Sequence, residues 1–244
     1  MQAARIAELL QPFLSPLPNV CHSERDRRAG EEPASLSATQ LKHISMYIDI
    51  LKRWNARINL TAIRDEEEIV TRHFGESLFA ARCLFPEGYA ASEAGAGRVT
   101  VADLGSGAGF PGIPIKLWAP GVQLTLIESN HKKAAFLREV CRALTLTDVD
   151  IRNVRGEEVV ETYDLVTLRA VENFREALGT AAGLMTNDAR LGLLIGSSQV
   201  DLARSALPTM DWNSAIPVPL SQSRVLFIGK RESKSSTVGS DAEN

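Results

Sequence analysis

No run of about 18 apolar residues occurs anywhere in the 244-residue chain, and Met1-Gln-Ala-Ala-Arg-Ile-Ala-Glu-Leu-Leu10 lacks the apolar core of a secretory leader. Neither secretion nor membrane insertion is expected. Cysteine is scarce as well: Cys21, Cys83 and Cys141 form no CxxC pair and no Cys/His cluster. No metal site is expected from them, their odd number argues against a disulfide framework, and a reducing cytoplasm fits best. A strong charge of either sign is missing too. The formal net charge of −3 lacks the overall basic footprint of a protein that holds nucleic acid by charge alone and argues against tight generic binding, although a local patch of Lys and Arg can still engage phosphates. With 44% hydrophobic residues, the chain can bury one good core with a small accessory region.

Residues 2–14 pattern as a short amphipathic helix, which makes 1–14 a first segment. Residues 15–36, with Pro16, Pro18, Pro33 and the charge run Glu24-Arg-Asp-Arg-Arg28, read as a loop or insertion. Ser37-Ala-Thr-Gln40 has capping-box spacing, and Leu41, Ile44, Ile48 and Leu51 recur on one helical face, predicting a helix over 38–55. Asp65 followed by three glutamates marks a further helix start, with acids at the positive dipole end and Ile69, Val70, Phe74, Leu78 and Phe79 behind them. Residues 37–85 are therefore expected to form an N-terminal helical cap.

A small, flexible stretch over 86–98 follows, and then the pattern changes. Strands are expected near 99–104, 122–128, 149–154, 164–169 and 190–195, and helices near 112–118, 131–144 and 173–185. Such alternation means βαβ units, an α/β class and a mainly parallel sheet. Ala215–Leu220 and Arg224–Ile228, separated by Ser-Gln-Ser, read as a terminal antiparallel hairpin on the sheet edge, where prolines are tolerated. This core spans 99–230, and the polar residues 231–244 read as a disordered tail.

The most informative stretch is Val99-Thr-Val-Ala-Asp-Leu-Gly-Ser-Gly-Ala-Gly-Phe-Pro-Gly112, where an apolar strand ends in an acid, a glycine bend follows and a helix begins. Gly105, Gly107 and Gly109 lack a β-carbon, so the backbone can take positive φ and a ligand can lie against peptide groups. The helix opening near Gly112 is expected to aim unpaired N–H groups at that ligand. Sixteen residues past Gly112 the next apolar run ends in Glu128, placed to take both hydroxyls of a ribose. Gly107-Ala-Gly-Phe-Pro-Gly112 satisfies G-x-G-x-x-G, so a nicotinamide or flavin dehydrogenase is one reading. S-adenosylmethionine (AdoMet) is the other. Asp103 would repel a pyrophosphate but suits a zwitterionic amino acid and a sulfonium, Pro111 removes an N–H from the turn, and no hydride-transfer constellation appears downstream. A bare tight turn would not account for four glycines in eight residues flanked by Asp103 and Glu128.

Asn59-Leu-Thr-Ala-Ile-Arg-Asp65, Arg72-His-Phe-Gly-Glu-Ser-Leu78, Asp103-Leu-Gly-Ser-Gly-Ala-Gly-Phe-Pro-Gly-Ile-Pro114 and Leu168-Arg-Ala170 occur in this order. Over residues 38–230 the chain resembles the bacterial small-subunit (16S) ribosomal RNA guanine-N7 methyltransferases, also called glucose-inhibited division protein B. The resemblance implies a Rossmann-like AdoMet-dependent methyltransferase fold: a seven-stranded sheet with an antiparallel last strand, preceded by a helical extension. It implies that Gly105 and Phe110 line the cofactor site, that Gly156 and Glu157 meet the adenine, and that Arg169 lies near methyl transfer. Asp103, Gly107 and Glu128 complete the expected cofactor set. It also implies a 16S rRNA substrate, within the small ribosomal subunit, for an enzyme expected to be a cytoplasmic monomer. Ile195 departs from the family, whose members usually carry a lysine there, and 15–35 is longer than usual.

Guanine N7 already bears a lone pair and no proton, so its methylation needs no general base, and geometry is the main requirement. No cysteine follows a proline, as a cytosine-C5 enzyme would need, and Leu168-Arg-Ala-Val171 stands where an adenine-N6 enzyme would present Asn/Asp-Pro-Pro-aromatic. Arg169 is the residue expected to orient the guanine or a neighbouring phosphate. His73 is readable either as a contact to RNA or as helix packing. Lys42, Lys52, Arg53, Arg57, Arg64 and Arg72 on the cap, and Lys132, Lys133, Arg138 and Arg142 beyond it, are readable as RNA contacts or solvated faces. Trp54 reads as a core anchor. A non-catalytic AdoMet or nucleotide sensor that binds the ribosome is the reading from a different class.

Overall fold

The computed structural model describes residues 1–16, 33–86 and 98–231. Most of the expected loop over 15–36, the linker over 86–98 and the tail after 231 lie outside the described residues.

The cap is built from helices α1 (Ala3–Leu14), α2 (Ala38–Asn55), α3 (Glu66–Glu68) and α4 (Glu76–Leu84). Ser37 closes the start of α2 with a complete capping box: its hydroxyl accepts from the Gln40 N–H while the Gln40 side chain accepts from the Ser37 N–H. Asp65 caps α3 by accepting from the Glu68 N–H at 2.8 Å. The helix that starts there is not regular. Ile69–Gly75 winds as a π-helix, and the Glu76 N–H bonds the Thr71 and His73 carbonyls, skipping that of Arg72. Periodicity alone gave no sign of this widened turn. Gly75 lies so close to α1 that a β-carbon there would stand 2.4 Å from the Phe13 ring.

The remaining elements are β1 (Thr100–Leu104), α5 (Gly112–Trp118), β2 (Gln123–Ile127), α6 (His131–Ala143), β3 (Val149–Arg152), β4 (Tyr163–Arg169), α7 (Phe174–Gly183), β5 (Met185–Gly196), α8 (Val200–Ala206), β6 (Met210–Trp212), β7 (Ile216–Pro217) and β8 (Arg224–Arg231). The sheet runs β3-β2-β1-β4-β5-β8-β6, seven strands on one path, with the two-residue β7 paired to β8 beside it. Strands β1 to β5 are mutually parallel, and β8 is antiparallel to β5. The terminal hairpin is not at an edge. β8 is flanked by β5 on one side and by β6 and β7 on the other, because its two ends pair separately: Gly229–Arg231 with β6, and Val225 and Leu226 with β7. Neither β6 nor α8 was expected, each being too short to show a period.

Alternation along the strands divides the core in two. Val101, Leu124, Leu126, Leu165, Leu194 and Leu226 pack with α5, α6 and the cap, whereas Ala102, Leu104, Val166, Leu168, Leu193 and Phe227 pack with α7 and α8. Leu104 is level with Ile127 and Leu168, so β1, β2 and β4 end together. Cys83 is disulfide-bonded, against the expectation drawn from the odd number of cysteines, while Cys141 is a free, buried thiol. No helix among the described residues is long and apolar enough to cross a membrane.

Candidate functional site

Beyond the carboxyl ends of β1, β2 and β4, where the strand order reverses, lies a cavity of about 510 Å³. This is where open α/β sheets place ligands. Of the residues expected to bind the cofactor or act in methyl transfer, Gly105, Glu128, Gly156 and Glu157 line it. Asp103, Gly107, Phe110 and Arg169 do not.

Gly105, Gly107 and Gly109 have φ of +71°, +55° and +82°, the left-handed region that favours glycine. Gly105 opens onto the cavity. Gly107 instead joins the loop to the next strand: its N–H donates to Glu128 Oε2 at 2.8 Å, while Glu128 Oε1 accepts from the Asn130 N–H at 2.7 Å. Both carboxylate oxygens are thereby aimed, and each retains a lone pair for a further donor such as a ribose hydroxyl. On the opposite wall, Glu157 accepts from the Thr180 hydroxyl at 3.0 Å. A β-carbon on Gly156 would stand 2.5 Å from Leu104 Cδ1, so glycine lets that wall close on the sheet.

Asp103 points the other way. Neighbouring side chains on a strand face opposite sides, and with Leu104 on the cavity side Asp103 is buried toward α5. Its Oδ1 accepts from the Thr167 hydroxyl at 2.8 Å and its Oδ2 from the Gly112 N–H at 3.2 Å. The expected free donors at the start of α5 are therefore not presented to a ligand, since the chain's own carboxylate takes the anion position there. This corrects the sequence expectation and removes the anchor on which a dinucleotide's pyrophosphate would depend.

Phe110 is also withdrawn from the cavity. Its ring lies between Tyr47, stacked at 5.3 Å, and His73, stacked at 4.8 Å, with Phe74 edge-on at 5.1 Å. Tyr47 donates its hydroxyl to the Ala108 carbonyl. The glycine loop is thus clamped against the cap.

Arg169 belongs to the same seam. Its side chain is 7% exposed and pairs with Glu76, itself 4% exposed, at 2.8 Å. The guanidinium also donates to His73 Nδ1 at 3.2 Å and to the Arg72 carbonyl at 2.5 Å, which is the carbonyl that the π-helix leaves out of its ladder. His73 Nε2 then donates to Thr61 Oγ1 at 2.7 Å, and Asn55 accepts from the N–H groups of Leu60 and Thr61. The expected substrate contact by Arg169 is therefore replaced by an internal tie between cap and core. His73 is packing of the same kind. Tyr47, Asn55, Thr61, Glu76 and Thr167 were not singled out for roles, although Thr61 and Glu76 stood inside quoted segments. Of the basic residues, Lys52, Arg53 and Arg72 pair with Glu66, Glu139 and Glu68. Trp54 bonds Glu139 and meets Phe136 edge-on, as a core anchor should. Ile195 is buried in the layer under α7 and α8.

Two buried groups at this seam titrate in opposition. Burial raises Asp103 from 3.8 to about 6 against the hydrogen bonds it accepts, and burial with the charges of Arg169, Arg72 and Arg224 lowers His73 from 6.5 to about 3. Between those limits the folded chain keeps an Asp103 proton that the unfolded chain releases, so this contribution to stability falls as pH rises. It also lacks a His73 proton that the unfolded chain binds, so that contribution falls as pH drops. The two nearly cancel from about pH 4 to 6. Relative to the parent, Asp103→Asn should gain stability with rising pH at about 1.4 kcal/mol per unit, and His73→Asn should lose it at a similar slope. Urea unfolding at several pH values reads this directly. Curves parallel to the parent's would contradict it.

The fold is that of the AdoMet-dependent methyltransferases. An AdoMet-dependent methyltransferase from Aquifex aeolicus superposes with a TM-score of 0.52 at 13% identity, covering 69% of this chain and 94% of that one. TYW2 of M. jannaschii, solved with AdoMet, gives 0.51 at 12% identity, covering 72% and 78%. The chain belongs to the rRNA small subunit methyltransferase G family, whose model matches residues 40–218. Ribosomal RNA small subunit methyltransferase G of Xylella fastidiosa is 38% identical over 174 residues, 70% of this chain and 76% of that protein. Its counterpart in Roseiflexus is 45% identical over 142 residues, and that match takes in 56% of each chain.

Proposed function

We propose that the chain transfers the methyl group of AdoMet to N7 of one guanine in 16S ribosomal RNA, acting as a cytoplasmic monomer on the small ribosomal subunit. The observation that carries this reading is convergence. The Asn59–Thr61, Arg72–Glu76 and Phe110 segments and Arg169, far apart in sequence, meet in one buried network beside the cavity.

The cavity fits the cofactor. Glu128, Glu157, Glu172 and Glu176 line it against Lys133 and Arg155, an acidic balance that favours a sulfonium and disfavours a pyrophosphate. Its size lies within the roughly 300–1,000 Å³ of small-molecule sites. In this reading Glu128 takes the ribose hydroxyls, Gly105 allows close backbone approach, and the Gly156–Glu157 wall, which lines the same cavity, meets the adenine. When bound, AdoMet supplies an electrophilic methyl group. The chain's task is to hold donor and guanine in line, which is worth up to about 7–11 kcal/mol in favourable cases, and to exclude water. No side chain need take a proton from N7. The clamp on Phe110 and the Asp103 brace serve this by keeping the loop rigid before either reactant arrives.

Tritium from labelled AdoMet should enter the RNA of small subunits that lack the modification, and borohydride followed by aniline should cleave that RNA at one guanine. Label bound but never transferred would instead favour an AdoMet sensor.

A further inference from the structure

With Arg169 closed inside the protein, the contact to the substrate backbone has to come from another side chain at this end of the sheet. Register identifies one. Arg169 pairs with Leu194, Leu194 with Leu226, and Gly196 with Arg224. Residues directly opposite share a face and so do residues two apart, which puts Arg169 and Arg224 both on the cap side in adjacent rows, Arg169 level with Leu194 and Arg224 with Gly196, at the end where Ala170 and Val171 enter the cavity wall. Gly196 contributes no side chain beside Arg224, while Leu194 and Leu226 fill the row that Arg169 occupies.

The charges along this seam do not balance. Arg72 has Glu68 and Arg169 has Glu76, whereas the half-buried guanidinium of Arg224 has no ion pair or hydrogen-bond partner among the described residues. Its charge reaches inward, contributing to the lowered basicity of His73. The preceding turn is well built: the Arg224 N–H donates to Ser221 Oγ at 3.0 Å, the Val218 N–H to the Arg224 carbonyl at 3.0 Å, and the Ser221 N–H to the Val218 carbonyl at 3.2 Å. That turn holds Leu220 at φ +59° with 72% of its surface exposed, a conformation unfavourable for leucine. Among the described residues, Val160 is the other large apolar side chain so exposed. An unmatched cation beside an exposed apolar tip suits RNA, whose phosphates take the charge and whose unstacked bases take the apolar contact.

We propose that the turn from Leu220 to Arg224 is an RNA-docking element, with Arg224 holding a phosphate next to the target guanosine and Leu220 packing on a neighbouring unstacked base. This rests on the RNA methyltransferase reading and names the part of the substrate that the turn engages. The test measures binding of 16S rRNA to the full chain across a salt series, together with methyl-transfer kinetics and AdoMet affinity. Arg224→Gln should flatten the slope of log K against log salt by about 0.7–0.9, and should raise KM for RNA about tenfold while AdoMet affinity stays at the parent value. Arg224→Lys should restore the slope, because a point charge serves a phosphate. Leu220→Ser should raise KM about threefold without altering the slope. A parental slope and KM in Arg224→Gln overturn the proposal, as does a slope that Arg224→Lys leaves flat. If the parent chain binds RNA but transfers no methyl, the enzymatic reading fails while the salt slopes still decide the role of Arg224.

Discussion

Arg169→Ala is expected to lower folding stability by about 3–5 kcal/mol, the cost of leaving one member of a buried ion pair without its partner. Glu76, 4% exposed, would be left buried without its counter-ion. His73 Nδ1 and the Arg72 carbonyl would lose their donor as well. The seam they hold clamps Phe110 and the glycine loop, so the variant should also bind AdoMet more weakly as its cap loosens. Denaturant unfolding followed through the tryptophans measures the first effect. Converting both partners, Arg169→Met with Glu76→Leu, should be less damaging than the single change, since an apolar pair leaves no orphan charge. If Arg169→Ala unfolds with the parent's midpoint and loses methyl transfer all the same, the arginine acts on the substrate, and its placement as an internal tie is wrong.

Glu128→Ala is expected to weaken AdoMet binding about 100-fold. Two hydrogen bonds from ribose hydroxyls to an ionised acceptor, at about 1.5 kcal/mol or more each, amount to roughly 3 kcal/mol. The loss should exceed that from removing the contact alone, because the same carboxylate fixes the Gly107 and Asn130 N–H groups. Calorimetric titration of AdoMet into the variant reads the result. A change below about threefold would mean that the ribose is not held at the end of β2.

The parts of the site that were legible in sequence share one property: each depends on its near neighbours in the chain. Alternating apolar runs set the β1, β2 and β4 strands, glycine at 105, 107 and 109 permits positive φ, and an acid at the end of a strand reaches the loop of the next one. The helix after Asp65 shows the limit. Its acids and apolar residues predicted a helix, but the π-turn that frees the Arg72 carbonyl depends on packing against α1 and on an acceptor needed by Arg169.

By itself the sequence determined the α/β class, the cofactor loop, Glu128 at the rim and the membership that the four separate segments announce. Tertiary structure decided what Asp103, Phe110 and Arg169 do. Asp103 and Leu104 lie side by side on one strand, and only the layers packed on either side determine which of them meets the ligand. Arg169 finds its partners 93 and 96 residues away. A guanidinium carries the same charge wherever it stands, but its role follows from desolvation and from the groups that meet it across the cap–core seam, and neither is encoded within a few residues of position 169.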